Sequence, residues 1–232
     1  MITINTISWQ PLYQSLNEKG YTVIPAVLSP EECQQLKQYY DDDTLFRSTI
    51  NMQRYRFGKG EYKYFRYPLP ALVQRLRESF YPPLAILANE WMQKLSIDIH
   101  FPEKHEHLIE QCHKAGQQRP TPLTLRYEAG GFNTLHQDLY GAVYFPFQIV
   151  FVLSHHSRDF EGGELVLTEQ VPRAQSKAEV VRPNQGDALI FTTNFRPVQG
   201  TRGYYRAAMK HGVSEVKSGH RQALGIIFHD AQ

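Results

Sequence analysis

At 232 residues, with 41% hydrophobic and 21% charged side chains, the chain is long enough to bury one sizeable core and too apolar to be a disordered polymer. Its net charge of +2 neither requires nor forbids an anionic partner. Cys33 and Cys112 are too few for a disulfide framework or a cysteine-based zinc cluster, and no apolar run approaches the roughly 18 residues that cross a bilayer.

In chain order, Met1 to Gln10 has neither a basic opening nor an apolar stretch leading to a cleavage site, so secretion is not expected and a cytoplasmic location is. Gly20 to Val27 reads as a short strand. Ser29-Pro30-Glu31-Glu32 then supplies an N-cap, a proline at the first helical position and a capping-box glutamate, which predicts a helix to about Tyr40. Gln53 to Tyr67 (QRYRFGKGEYKYFRY) alternates basic and aromatic residues around Gly58-Lys59-Gly60 and predicts a hairpin. Leu72 to Phe80 and Leu84 to Leu95 carry apolar residues at helical spacing. Pro82-Pro83 between them predicts two helices rather than one. His105, His107 and His113 fall in a short polar helix, where positions two apart face away from each other, so they do not read as a metal site.

The pattern changes near Pro120. From Leu123 onward come short runs rich in β-branched and aromatic residues (LTLRYEA, FPFQIVFVLS, GELVLTE, AEVV, DALIFTT, RAAMKHGVSEV, RQALGIIFH), punctuated by Gly, Pro, Asn and Asp. Many short strands without intervening helices predict an α+β, mainly β protein: a jelly-roll core of the double-stranded β-helix type with N-terminal buttressing helices. We expect one catalytic domain over residues 1–232, with 1–120 as a helical and lid region and 121–232 as the jelly roll.

Within that core, His136-Gln137-Asp138 places an imidazole and a carboxylate two positions apart, and on an extended chain such residues point to one side. A second imidazole from a distant strand would complete two histidines and a carboxylate around one face of a metal, with the other positions open. His211 is the best candidate. Arg221 follows it after a stretch that reads as strand, turn (Lys217 to His220) and strand, and a buried arginine there would grip a carboxylate in two-pronged fashion. His155-His156 and His229-Asp230 read as a loop pair and a strand end, and His220 as a turn residue. Arg202 and Arg206 are candidates for the entrance. Gly162-Gly163 and Gly186-Asp187 read as turns between strands, since no helix follows them.

The order His136-x-Asp138, FEGGELVLTE (Phe160 to Glu169), PNQGDALIF (Pro183 to Phe191), His211 and Arg221 resembles the Fe(II)/2-oxoglutarate dioxygenase superfamily, near bacterial prolyl 4-hydroxylases and AlkB-type alkylation-repair dioxygenases. The opening GYTVIPAVLSPEE is similar to the entry segment of such enzymes. The resemblance implies Fe(II), 2-oxoglutarate as co-substrate and O2, with His136, Asp138 and His211 as catalytic metal ligands. It also implies that Arg221 binds the distal carboxylate of 2-oxoglutarate, and that Tyr127 in LRYEAGG donates a hydrogen bond to it. The implied reaction hydroxylates a C–H bond and releases succinate and carbon dioxide.

For the substrate, a protein side chain or another sizeable molecule stands first and an alkylated base of nucleic acid second. Arg54, Arg56, Lys59, Lys63 and Arg66 against Glu61 in the predicted hairpin favour the second, because cations for phosphates and rings for stacking are what single strands require. The same segment would also serve as an amphipathic cover of the sheet. A metal-binding jelly roll without turnover and a zinc hydrolase are the remaining alternatives. The hydrolase would leave Arg221 without a task.

Overall fold

The computed structural model describes residues 6–232; Met1–Asn5, at the start of the segment read above for a leader, lie outside the described residues. Helix α1 (Trp9–Lys19) leads into strand β1 (Tyr21–Ile24), which forms inside the predicted run. Helix α2 (Pro30–Gln38) has the expected capping box: the Glu32 amide donates to Ser29 Oγ at 3.2 Å and the Ser29 amide to Glu32 Oε2 at 3.0 Å. A tighter turn over Tyr39–Asp41 completes the stretch read as helix.

The basic aromatic segment departs from expectation. Strand β2 (Phe46–Asn51) pairs with β4 (Glu61–Phe65), so the hairpin is wider than predicted and residues 52–60 are its connection. Inside that connection a turn over Met52–Tyr55 is anchored by the fully buried Met52. Strand β3 (Gly58–Lys59) then pairs with a strand of the other sheet. A tight hairpin at Gly58 to Gly60 would have left Tyr62 to Phe65 without the ladder they gain against β2.

Helix α3 (Ala71–Lys94) is one continuous helix through Pro82 and Pro83, not two. Each proline removes an amide donor and costs about 3 kcal/mol in a helix interior. Against this, Phe80, Tyr81, Leu84, Leu87, Ala88 and Trp91 are all fully buried on either side of the pair, and full burial of a large apolar side chain contributes about 1.5–3 kcal/mol. Packing therefore outweighs the break. The Tyr13 hydroxyl also donates to the Pro83 carbonyl at 2.7 Å. Helix α4 (His105–Lys114) follows as expected.

The remaining strands are β5 (Leu123–Glu128), β6 (Phe132–His136), β7 (Phe147–Val152), β8 (Phe160–Gly162), β9 (Leu165–Gln170), β10 (Lys177–Val181), β11 (Ala188–Thr192), β12 (Phe195–Gly200), β13 (Gly203–Val213) and β14 (Val216–Ile227). They form two antiparallel sheets of a jelly roll. The larger runs β1-β11-β7-β14-β5-β4-β2 with β8 added along β14; the smaller runs β10-β9-β13-β6-β3 with β12 along β13. Strands β1 to β4 precede Pro120, so both sheets draw on the first half of the chain. The main hydrophobic cluster joins α3 to β7, β11 and β14 through residues such as Phe80, Trp91, Phe147, Phe151, Ile190 and Ile226.

The turn expected at Lys217 to His220 is not there. The chain does not reverse here: β13 pairs with β9 as far as Val213 opposite Leu165, Ser214 and Glu215 carry it across to the larger sheet, and β14 begins at Val216, continuing the same direction against β8 through Val216, Ser218 and Gly219. The register shifts between Val216 and Ser218, so the Ser-Gly signal marks a bulge in a long strand rather than a reversal. His220 is accordingly a strand residue, 3.9 Å from Glu128 across the ladder.

Candidate active site

Two cross-strand pairs, one from each sheet, build the site. In the smaller sheet His211 on β13 stands directly opposite His136 on β6, which brings their ring centroids to 4.1 Å. In the larger sheet Arg221 on β14 stands opposite Tyr127 on β5, with the guanidinium carbon 5.6 Å from the ring centre. A cavity of about 230 Å³ between the sheets is lined by all four residues, together with Tyr62, Tyr64, Asn133, Asp138, Tyr140 and Gln148 among others.

Asp138 lies two residues past the end of β6 and turns to the same side as His136. Gln137 between them turns away, and its side-chain amide donates to the Asn194 and Met209 carbonyls at 2.9 and 2.8 Å, which pins the loop. His136 Nε2 is 3.6 Å from Asp138 Oδ1, and His211 Nε2 is 3.2 Å from Asp138 Oδ2. One donor atom from each of the three residues lies within 4.8 Å of the others. Neighbouring donors around a small octahedral ion, each about 2.1 Å from it, stand about 3 Å apart. The spacing therefore fits one divalent ion.

The surroundings fix which atoms are offered. His136 Nδ1 is 2.7 Å from the Thr134 carbonyl oxygen, so Nδ1 carries the proton and Nε2 keeps a free lone pair. His211 is covered by Phe191 at 4.8 Å between ring centres and approached by the Gln148 amide at 3.2 Å. Burial lowers the His211 pKa below the ordinary imidazole value, opposed by its hydrogen bond to Asp138, and the lowered value favours the neutral, ligating form. Burial alone would raise the Asp138 carboxyl. The hydrogen bond and charge of His211, the charge of His136 and the Tyr140 hydroxyl together hold it well below the usual carboxylate range. Two imidazoles and an ionised carboxylate on one side of an open cavity suit a metal that must also take a co-substrate and dioxygen.

On the other wall, Arg221 is buried and has no hydrogen bond or ion pair to any described residue. Burial lowers its pKa, with Tyr127 and Glu164 opposing, yet a guanidinium stays charged in proteins. The Tyr127 hydroxyl is fully buried and also lacks a hydrogen-bond partner, although Asn133 is close enough to favour its ionised form. Burial pushes this phenol up to about 12 against the pull of Arg221, so it remains a neutral donor. An unpaired cation and an unpaired hydroxyl facing one cavity fit a small carboxylate ligand. Two glycines make the room: a Cβ at Gly163 would come within 2.8 Å of Arg221 Cδ, and one at Gly60 within 2.8 Å of the Tyr127 ring.

Other histidines do not assemble a second site among the described residues. His105 is buried, with Nε2 2.8 Å from the Phe228 carbonyl oxygen, while His113 meets Asp230 at 3.1 Å and His107 is exposed. Arg202 and Arg206 do not line the cavity; Arg206 lies 5.1 Å over the Phe195 ring. Sequence reasoning missed Gln148, Tyr64 and Tyr140. Gln148 had a signal, as the one polar residue in the apolar run Phe145 to Leu153.

The segment 53–67 divides. Tyr62 and Tyr64 become cavity wall, and Lys63 is buried between the Asp43 carboxylate at 2.7 Å and the Tyr40 carbonyl at 3.0 Å. Arg54, Tyr55, Arg56, Phe57 and Lys59 stay exposed, and Phe57 also lines the cavity. Tyr55 and Phe57 stack at 5.6 Å between ring centres with planes 18° apart.

Residues 60–231 match the model of a family named Oxygenase-NA, described as an oxygenase catalysing oxidative methylation of damaged DNA. An uncharacterized protein of Mycobacterium tuberculosis, found in strains CDC 1551 and H37Rv, is 43% identical over 167 residues, which is 72% of each chain. Among solved structures, an oxidoreductase of the 2OG-Fe(II) oxygenase family from Burkholderia pseudomallei superposes with a TM-score of 0.57 at 14% identity, over 99% of this chain and 95% of the other. A Pseudomonas putida prolyl-4-hydroxylase does so at 0.54 and 12%, over 96% and 98%. HygX from Streptomyces hygroscopicus, with nickel and 2-oxoglutarate bound, does so at 0.51 and 15%, over 94% and 87%. These structural likenesses are likenesses of fold.

Proposed function

This chain belongs to the Oxygenase-NA family, and from that premise we propose that it is a 2-oxoglutarate-dependent iron(II) oxygenase that oxidises an alkyl group on a nucleic-acid base. In this reading His136, Asp138 and His211 hold the iron, and Arg221 and Tyr127 receive the 2-oxoglutarate. Residues 1–120 supply the rim, the buttressing helices and four strands of a single catalytic unit whose other ten strands come from 121–232. The observation that carries the choice of substrate is the rim. Exposed Arg54, Arg56 and Lys59 are neighbours in sequence of a stacked Tyr55–Phe57 pair, of which Phe57 lines the aromatic cavity, and this pairs phosphate-seeking charge with stacking surface. The family description, which names damaged DNA, supports the same choice over the protein side chain ranked first from sequence.

The chemistry that bound iron would supply takes dioxygen as the oxidant: one oxygen atom would enter succinate as 2-oxoglutarate is oxidatively decarboxylated with loss of carbon dioxide, and the other would be inserted into a substrate C–H bond. The protein's own groups set the stage for this. The Thr134 carbonyl holds His136 in the ligating tautomer, and Phe191 packs against the His211 ring. Arg221 neutralises a carboxylate in a site too buried for water to do so, and the Tyr127 hydroxyl donates beside it. Tyr62, Tyr64 and Phe57 offer ring faces to a base turned out of its stack, and exclude water from the reacting group. Hydroxylation of an N-methyl group there would release formaldehyde and restore the base.

The test is succinate release, with and without candidate substrates. Methylated single-stranded and duplex oligonucleotides are expected to raise it well above the unstimulated rate, with matching formaldehyde. Stimulation by peptides, with none by any methylated oligonucleotide, would reject this substrate and restore the protein hydroxylase reading.

A further inference from the structure

The cavity wall contains a contact that the ligand set does not account for. The Tyr140 hydroxyl donates to Asp138 Oδ1 at 2.7 Å, and the Tyr64 hydroxyl donates to Tyr140 Oη at 3.1 Å. Tyr64 sits on β4 of the larger sheet, whereas Asp138 and Tyr140 lie in the loop after β6 of the smaller one. The two phenols thus span the gap between sheets. Their far end is held: Arg47 lies 4.4 Å over the Tyr64 ring and its Nε donates to the Pro120 carbonyl at 2.9 Å. Tyr140 is flanked on its other side by the His229 ring, 5.9 Å between centres. Because Tyr64 donates into Tyr140, the Tyr140 proton is directed at Asp138 and not elsewhere.

The carboxylate has two oxygens with different neighbours. Oδ2 is the one 3.2 Å from His211 Nε2, whereas Oδ1, 3.6 Å from His136 Nε2, is the one that accepts the Tyr140 hydroxyl at 2.7 Å. A carboxylate free at both oxygens can take two positions on a metal, whereas one with an oxygen committed to a strong donor takes one. We propose that Tyr140, aimed by Tyr64, is a positioning residue that confines Asp138 to the metal through Oδ2 alone and so keeps a coordination position free for 2-oxoglutarate. This rests on Asp138 being an iron ligand. It does not depend on the substrate.

The experiment uses the full chain without oxygen. Fe(II) affinity is measured by competition with a chromogenic chelator, and 2-oxoglutarate affinity by titrating the visible absorption of the chelated complex. Tyr140→Phe is expected to hold iron within about threefold of the parent and to weaken 2-oxoglutarate about tenfold, the lower end of what a hydrogen bond to a charged group contributes. Tyr64→Phe, which keeps the ring under Arg47, is expected to shift 2-oxoglutarate in the same direction by less, again sparing iron. Unchanged 2-oxoglutarate affinity in Tyr140→Phe, or equal loss of iron and 2-oxoglutarate in a variant that melts with the parent, would overturn the proposal. If Tyr140→Phe does not fold, Tyr64→Phe decides on the same two affinities. A parent chain that binds no iron at this site would instead defeat the ligand assignment, and the positioning role with it.

Discussion

Arg77 and Arg221 are both buried guanidiniums, 1% and 3% exposed, yet their surroundings are opposite. Arg77 on α3 uses four of its five N–H donors: it donates to Asp230 at 2.8 Å, to the Ile227 and Phe228 carbonyls at 3.0 Å each, and to the Tyr67 hydroxyl at 2.9 Å. Asp230 in turn accepts from Tyr67 and lies 3.1 Å from His113. That cluster ties the long helix to the end of β14. Arg221 has the same charge and burial and faces a cavity, but beyond the Tyr127 ring beside it makes no hydrogen bond or ion pair with a described residue. Burial of a charge thus says little about its role. Whether its donors are already satisfied separates a brace from a binding site.

The same substitution should therefore act with different sign at the two positions. Arg77→Met strands the Asp230 carboxylate in the core, and breaking one partner of a buried pair costs about 3–5 kcal/mol. A fall of that size in urea unfolding is expected. Arg221→Met removes a buried charge that makes no hydrogen bond or ion pair with a described residue, so the ligand-free protein should be no less stable than the parent. Its 2-oxoglutarate affinity should drop about a hundredfold while iron affinity is kept. Equal destabilisation by both variants, or equal loss of iron and 2-oxoglutarate in Arg221→Met, would erase the distinction.

Smaller effects sharpen it. If the exposed Arg54 and Arg56 meet phosphates, replacing both with Ser should flatten the plot of log affinity against log salt for a single-stranded oligonucleotide by about 1.4, at about 0.7 per lost contact. An unchanged slope would remove the rim from the binding surface. The closed cluster should show in acid. Burial first, and the Arg77 charge second, lower the His105 pKa to about 3. Above about pH 6.5 the ring is neutral folded or unfolded. As pH falls from there toward 3 only the unfolded chain takes the proton, so stability is lost at up to about 1.4 kcal/mol per pH unit. His105→Gln should flatten that limb of the stability curve between pH 6.5 and 4, and an unaltered limb would place the titration elsewhere.

The contrast also explains what could be read from the sequence. His136-x-Asp138 follows from local geometry, since alternation along an extended chain is a property of two residues and their neighbour. Arg77 carried a local signal too, sitting on the apolar stripe of Leu72, Val73, Leu76 and Phe80, but the stripe does not name Asp230 as partner. The pairs His136–His211 and Tyr127–Arg221 are matters of strand register, which no single segment encodes. The errors share that origin. Pro82-Pro83, Ser218-Gly219 and Gly58-Lys59-Gly60 are local break signals, and each was overridden by burial or by a ladder formed with distant chain.

The two cross-strand pairs, His136–His211 and Tyr127–Arg221, act together only if they form one site. The most direct measurement is the visible charge-transfer band that appears when Fe(II) and 2-oxoglutarate are added together without oxygen. The intact chain is expected to show it, Asp138→Ala and His136→Ala to lose it, and Arg221→Met to recover it only at about a hundredfold more 2-oxoglutarate. A band that persists unchanged in Asp138→Ala or His136→Ala would contradict the assignment.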